Sequence, residues 1–227
     1  MPGIPEENYW FRRHEAAYLA LAPYCVDAVV LEAGCGEGYG AAVLAGVARL
    51  VCGLDYDELT AAHVGKVYSR VRAVRGNLAR LPLRTSTVDV VANLQVIEHL
   101  WNQAEFLAEC RRVLRPGGRL LITTPNRLTF SPGRDTPLNP FHTRELSPSE
   151  LDDLIRSAGF TVELLTGLHH GPGIDDSIID AQVRVVVSGT AWPAGLLAEV
   201  TSVTADDFVI TTENLDASLD LVAVARR

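Results

Sequence analysis

The sequence predicts an α/β fold, a mostly parallel sheet with helices on both faces. Three observations predict it. Short apolar, β-branched runs alternate with segments of helical composition through the first half of the chain. A glycine-rich turn follows the first run, and an acidic residue closes the second. The length, 227 residues, suits one α/β domain with modest insertions and a full core.

The elements follow in order. Residues 9–21 have helical composition, and Pro23 closes the segment. Residues 28–32 form a short β-branched run, a buried first strand. The turn Gly34–Tyr39 leads into a helix over 41–48. Strand-like residues 50–55 and helical residues 58–69 make the next unit. Residues 71–75 and 88–94 are the third and fourth strands. A helix over 102–114 is stopped by Arg115-Pro116-Gly117-Gly118, and residues 119–124 form the fifth strand. The segment 127–144 is rich in Pro, Gly and Asn, and its length points to function rather than connection. A helix over 149–158, a strand-like run over 161–168 and a loop over 169–176 follow. Residues 177–205 have the look of an insertion with helical pieces, before strand-like runs at 208–211 and 219–225. A single domain over 1–227 is expected. It comprises a helical cap (1–27), a cofactor-binding core (28–126), a substrate loop (127–147) and a carboxy-terminal part (148–227) with an insertion over 169–205.

Composition narrows the function classes. A net charge of −8 argues against a chain held to nucleic acid through phosphate contacts, and it offers little to anionic lipid. Cys25, Cys35, Cys52 and Cys110 lack metal-type spacing and read as buried thiols. The polar start, MPGIPEENYWFRRHE, lacks the apolar run of a signal peptide, and no stretch is long enough to span a bilayer. A cytoplasmic protein without membrane or nucleic-acid partners is expected.

The run Val30-Leu31-Glu32-Ala33-Gly34-Cys35-Gly36-Glu37-Gly38 lies where a strand gives way to a helix. Glycines there permit a tight turn and a close ligand approach, as in a dinucleotide site. About 20 residues on, Asp55 is placed to take both hydroxyls of a ribose. Glu32, ahead of the turn, would repel a pyrophosphate but suits a ligand carrying a sulfonium and an ammonium. S-adenosylmethionine is the cofactor expected.

Taken together, EAGCGEG, GLDY, GNLARLPL, VDVVANLQVIEHL and RVLRPGGRLLITTPN resemble, in order over residues 29–126, the type 11 class I methyltransferases. The resemblance implies a Rossmann-like, mostly parallel seven-stranded sheet. It puts Gly34, Gly36 and Gly38 in the glycine loop, Asp55 on the ribose and Tyr56 on the adenine face. Asn77 and Leu78 match the adenine edge, although the family usually has Asp at the first position. Asn93 and Leu94 match the strand end beneath the methionine portion. Arg12 or Arg13 falls where related quinone O-methyltransferases bind the methionine carboxylate. Gln95, Glu98 and His99 match their Glu-x-x-Glu-His run, which can hold Mg²⁺; the uncharged Gln95 departs from it.

An alcohol acceptor needs a base. His142, on the polar loop with Glu145 to orient it, is one candidate; His99, with Glu98 beside it, is the other. His169-His170 and Asp175-Asp176 are further polar positions. ENYWFRRHE, SPGRDTPLNPFHTREL, SIIDAQV and SLDLVAVA also resemble actinobacterial methyltransferases of polymethylated polysaccharides, notably methylglucose lipopolysaccharide. That resemblance implies a carbohydrate hydroxyl as acceptor, the 6-position among them. A quinone or aromatic precursor is the alternative acceptor, and a non-catalytic cofactor-binding module the alternative class. The oligomeric state is left open.

Overall fold

The computed structural model describes residues 3–174, 185 and 190–227. Eight strands form one sheet in the order β3-β2-β1-β4-β5-β8-β6-β7. They are β1 Val29–Ala33, β2 Leu50–Asp55, β3 Val71–Arg75, β4 Val88–Leu94, β5 Leu114–Pro125, β6 Thr161–His170, β7 Phe208–Thr211 and β8 Asp220–Arg226. β1 to β5 pair in parallel, and β8, β6 and β7 add antiparallel neighbours at the far edge.

The sheet therefore has eight strands rather than seven. The extra one is the run at 208–211, which pairs with the end of β6 through Gly167↔Thr211 to His170↔Phe208. That pairing also corrects the loop expected from residue 169. His169 and His170 are the last residues of β6, and His170 Nε2 lies 2.7 Å from the Tyr9 hydroxyl. Asp175 and Asp176 lie outside the described residues.

Helices cover both faces: α1 Asn8–Leu21, α2 Tyr39–Leu44, α3 Glu58–Val67, α4 Gln103–Val113, α5 Arg127–Phe130, α6 Pro148–Ser157 and α7 Ala194–Ser202. A two-residue period divides the sheet between two cores. Val30, Val90, Ala92, Leu121, Val222 and Val224 face the side of α1. Leu31, Val91, Leu120, Ile122, Leu221 and Ala223 face that of α4 and α6. Full burial of each large apolar side chain contributes about 1.5–3 kcal/mol.

Two boundaries moved for local reasons. α2 starts at Tyr39, because the left-handed Gly38 (φ 84°) ends the turn earlier than expected. β5 begins at Leu114, paired with Val88, so the Gly117 turn sits inside the strand. The ends of α6 are set by a capping box, in which Ser147 and Glu150 satisfy each other's backbone amides. No helix among the described residues is long and apolar enough to cross a membrane.

Candidate active site

β1 and β4 are neighbours in the middle of the sheet, and the chain leaves them on opposite courses. A cleft opens above their carboxyl ends, the place open α/β sheets offer ligands. Here the wall is His14, Tyr18, Gly34, Cys35, Gly36, Glu37, Tyr39, Asp55, Tyr56, Leu78, Leu94, Gln95, Val96 and His99, around a cavity of about 420 Å³. Small-molecule sites span about 300–1,000 Å³.

The glycine turn forms its floor. Gly34 and Cys35 both donate to the Leu54 carbonyl, at 2.8 and 2.9 Å, which binds the turn to the end of β2. Gly34 has φ 88°, and a Cβ there would come within 2.7 Å of Val96. Gly38, at φ 84°, would drive a Cβ to 2.8 Å from Val64. Both positions exclude side chains twice over, by dihedral and by space.

Asp55 accepts from the Gly36 amide at 3.0 Å through Oδ2 and from the Asp57 amide at 3.0 Å through Oδ1. Its carboxylate thus stands fixed at the cavity edge with acceptor capacity left over. Tyr56 beside it is 70% exposed, and Leu78 is buried opposite, two apolar surfaces that a flat base would cover.

Glu32 is fully buried, and its Oε1 accepts a 2.5 Å hydrogen bond from Tyr18, which lines the cavity. Burial pushes its carboxyl up to about 8 against the opposing Tyr18 bond. Its other oxygen has no partner. Asn93 donates to the Ala33 carbonyl at 2.7 Å, leaving its own oxygen unpartnered. Gly34, Gly36, Asp55, Tyr56, Leu78 and Leu94 line the cavity as expected positions, while Glu32, Gly38 and Asn93 brace it from behind.

Three expected contacts fall elsewhere. Asn77 is exposed, and its Oδ1 accepts from the Ala79 amide at 2.9 Å, a local turn. Arg13 is buried against β8: Nε and Nη2 grip the Asp220 carboxylate at 2.6 and 2.5 Å, and Nη2 also donates to the Leu219 carbonyl. Burial opposes that charge, and Asp220 outweighs it, holding the guanidinium above its ordinary range. Arg12 pairs with Glu15 at 2.6 Å. Neither arginine lines the cavity; His14, one position on along the helix, and Tyr18 are the α1 residues that do. Burial drives the His14 imidazole down to about 4, so it is neutral, and Nδ1 lies 3.1 Å from the Tyr39 hydroxyl. His14, Tyr18 and Tyr39 carried no motif signal in the sequence. Only the packing of α1 over the glycine turn reveals them.

The QVIEH run turns sharply at Gln95, whose φ of 57° is left-handed, a conformation uncommon for any residue with a Cβ. The turn puts His99 on the cavity wall. His99 Nδ1 lies 2.9 Å from the Phe141 carbonyl. A carbonyl only accepts, so Nδ1 carries the hydrogen and Nε2 keeps its lone pair.

Glu98 is buried, and its Oε2 accepts from Thr124 at 3.0 Å. Burial raises its carboxyl to about 8 despite that bond. Its Oε1 is 4.0 Å from His99 Nε2, beyond hydrogen-bond range.

His142 is brought edge-on to His99, with ring centroids 4.8 Å apart, but it does not line the cavity. Nδ1 binds Glu145 at 2.7 Å and Nε2 lies 3.0 Å from the Asn139 amide. Desolvation, only partly offset by Glu145, lowers its pKa, so the ring is neutral with both nitrogens engaged.

Among the described residues, Glu98, His99 and His142 are the ligand-type groups that converge, their donor atoms within 4.8 Å of one another. Gln95 instead approaches the Thr123 hydroxyl, at 3.3 Å. This set does not fit Mg²⁺, which takes oxygen ligands in octahedral array. It offers a single carboxyl and two imidazoles, one with both nitrogens used.

The cavity does fit S-adenosylmethionine. Asp55 would accept from a ribose diol, Tyr56 and Leu78 would flank the base, and the buried, unpartnered oxygen of Glu32 would stand behind Tyr18 toward the cationic end. Comparison with known proteins agrees. Residues 31–122 match the methyltransferase domain family. A Mycolicibacterium smegmatis protein named "Probable S-adenosylmethionine-dependent methyltransferase" is 58% identical over all of this chain and 92% of its own length. A ubiquinone biosynthesis O-methyltransferase of Marinobacter nauticus is 32% identical over 63% of this chain and 67% of its own. Among solved structures, a Thermotoga maritima S-adenosylmethionine-dependent methyltransferase superposes with a TM-score of 0.65 at 20% identity, over 96% of this chain and 92% of that one. With the glycine turn, the ribose acid and these relatives in agreement, the chain belongs to the class I S-adenosylmethionine-dependent methyltransferases.

Proposed function

We propose that the enzyme transfers the methyl group to a sugar hydroxyl, in an intracellular polymethylated polysaccharide of the methylglucose lipopolysaccharide kind. The observation that carries the oxygen chemistry is His99. It is a histidine on the wall of the cofactor cavity, fixed by the Phe141 carbonyl so that Nε2 faces its surroundings as a base.

S-adenosylmethionine supplies a methyl carbon already activated by its sulfonium. The protein's part is to align the acceptor oxygen with that carbon and remove its proton. His99 Nε2 takes the proton, and the Phe141 carbonyl steadies the Nδ1–H of the imidazolium that forms. His142 acts through position. Glu145 and Asn139 hold its ring, and its edge sets the plane of His99. Gln95, turned by its left-handed backbone, and Leu94 wall the space beside the transferring carbon. The polysaccharide itself is proposed on the resemblance of ENYWFRRHE, SPGRDTPLNPFHTREL, SIIDAQV and SLDLVAVA.

A second reading, a quinone or other aromatic acceptor, is favoured by the name of the Marinobacter relative. The two readings separate in one assay. Radiolabelled methyl transfer is measured to partly methylated glucose oligosaccharides and, in parallel, to catechol-type acceptors, with the product position assigned by NMR. Label on a sugar oxygen, with the 6-position expected, supports the proposal. Label on phenols alone rejects it.

A further inference from the structure

The cofactor cavity continues past His14 and Tyr39. Both side chains also line a second cleft, of about 560 Å³, whose other walls are Glu6, Glu7, Trp10, Phe11 and Trp192. Its two sides belong to distant parts of the sequence and are tied together. The Asn8 amide donates to the carbonyls of Val200, Thr201 and Val203 at 3.0, 3.1 and 2.8 Å, at the end of α7. One polar side chain therefore caps the carboxyl end of α7 and pins it to the start of α1.

We propose that this cleft is the acceptor subsite and that it seats a neutral pyranose ring, its C–H face on the indoles of Trp10 and Trp192 and its hydroxyls toward Glu6 and Glu7. The inference rests on the sugar reading above and adds the place where the sugar sits. Three features select the ligand. Flat aromatic walls suit a flat apolar face, and indoles supply it with little loss of side-chain freedom. A carboxylate has lone pairs for more than one partner, so, beside the interactions they already make, Glu6 and Glu7 can accept from hydroxyl donors, and they gain nothing from the carbonyl oxygens of a quinone. Cations already stack on two of the rings: the Arg13 guanidinium lies 5.3 Å from Trp10 and that of Arg12 lies 5.0 Å from Phe11. Rings so polarised attract a second cation less than a bare aromatic box does, while dispersion with C–H groups is undiminished. The cleft shares the His14 and Tyr39 side chains with the cofactor cavity, so a sugar seated there lies beside the methyl donor's cavity and would reach it by its neighbouring unit or its own exocyclic carbon.

The test uses the full chain and a partly 6-O-methylated glucose oligosaccharide as probe. In a Trp101→Phe background, which removes an indole 88% exposed outside the cleft, the oligosaccharide should quench the fluorescence of Trp10 and Trp192. Trp192→Ala should raise the acceptor KM at least tenfold while leaving the S-adenosylmethionine Kd within twofold, which also reports that the fold is intact. Trp10→Phe, which keeps a ring where loss of the indole would disturb α1, should raise it less, and Glu7→Gln should weaken binding severalfold. Sugar methylation with an unchanged KM in all three variants overturns the cleft and leaves the sugar reading standing. Absence of quenching by the oligosaccharide overturns the cleft as a sugar site. Absence of sugar methylation alongside phenol methylation overturns the reading beneath it. Quenching by choline in place of the sugar assigns the cleft to a cation and overturns the proposal.

Discussion

The half of the sheet that holds the cofactor and the half that flanks it solve opposite problems with polar groups. At the ends of β1, β2 and β4, hydrogen bonding is left incomplete: Glu32 and Asn93 each keep a buried oxygen without a partner, and Tyr56 stands exposed. Around β5 and β8 most buried polar groups are paired. Arg13 closes on Asp220, both nitrogens of His142 are engaged, and the Asn126 amide donates to the carbonyls of Leu215, Asp216 and Ser218. Buried polar atoms are costly when unpaired, so an incomplete set marks where a ligand completes it, and a complete one marks scaffold. The scaffold side has its own exceptions: Glu145 Oε2 beside its bond to His142, His169 Nε2 on β6, and Gln103 Oε1 on α4 are unpartnered as well.

The contrast is broken most directly at the two histidines, which lie edge to edge across the boundary. His99→Ala should lower kcat by about 10²–10⁴-fold with the cofactor Kd nearly intact, the range lost with a general base. His142→Ala should cost less in rate and more in melting temperature, because it strips a buried carboxyl of its partner. Steady-state kinetics and thermal melts on both variants decide it. The reverse pattern moves the base to His142 and puts the ligand boundary one ring further into the scaffold.

Asp55 and Arg13 sharpen the same contrast, since one is a charged residue at the cavity edge and the other a charged residue clamped into the scaffold. Arg13→Ala leaves Asp220 buried and uncompensated and should cost about 3–5 kcal/mol of stability. Asp55→Ala removes the ribose acceptor and should weaken S-adenosylmethionine by about 2–4 kcal/mol. Its effect on the urea midpoint should be small. Calorimetric titration and denaturation of each separate the two outcomes. A loss of affinity under fivefold would take Asp55 out of the site, and a strong loss in Arg13→Ala at unchanged stability would return that arginine to the cofactor.

The sequence made the incomplete half the easier to read. The glycine turn, Asp55 and the five parallel strands are local patterns, because one ligand's backbone contacts dictate them over a short stretch. The finished half depends on partners far apart in the chain. Arg13 meets Asp220 across 207 positions, and Asn8 meets Val203 across 195. No spacing rule announces such pairs, so an arginine near the right helix was expected on the cofactor when it is clamped to β8. The resemblance implies seven strands although eight runs read as strand-like, for a related reason: the run at 208–211 is strand-like by itself, but its place at the edge depends on β6 running on through His170. His14 was missed because a lone histidine in an amphipathic helix resembles any other surface residue until the helix is laid over the turn.

The smallest effect is a pH dependence that comes from both halves at once. Glu32 in the first and Glu98 beside the second are each raised to about 8 by burial. From the ordinary carboxylate range up to about 8, the folded chain holds two protons that the unfolded chain has released. Stability therefore falls as pH rises through that interval and levels off above it. Other groups act in different intervals. Asp89, Glu109, Glu150 and Glu163 are depressed, so their contribution is complete above the ordinary carboxylate range. His14 and His142 are also depressed, and they make stability rise only up to the ordinary histidine range, about 6.5. Between pH 7 and 8 the two glutamates set most of the slope, with a smaller part of the same sign from the four thiols that burial raises, and urea denaturation should show a loss of about 1 kcal/mol for each glutamate across that unit. Glu98→Gln should remove its share of the slope with or without cofactor. Glu32→Gln should remove an equal share in the free enzyme only, because a bound ammonium stabilises the Glu32 carboxylate and the proton has already left. A flat profile in the wild type, or one that saturating S-adenosylmethionine leaves unchanged, would mean that Glu32 does not face the cationic end of the cofactor.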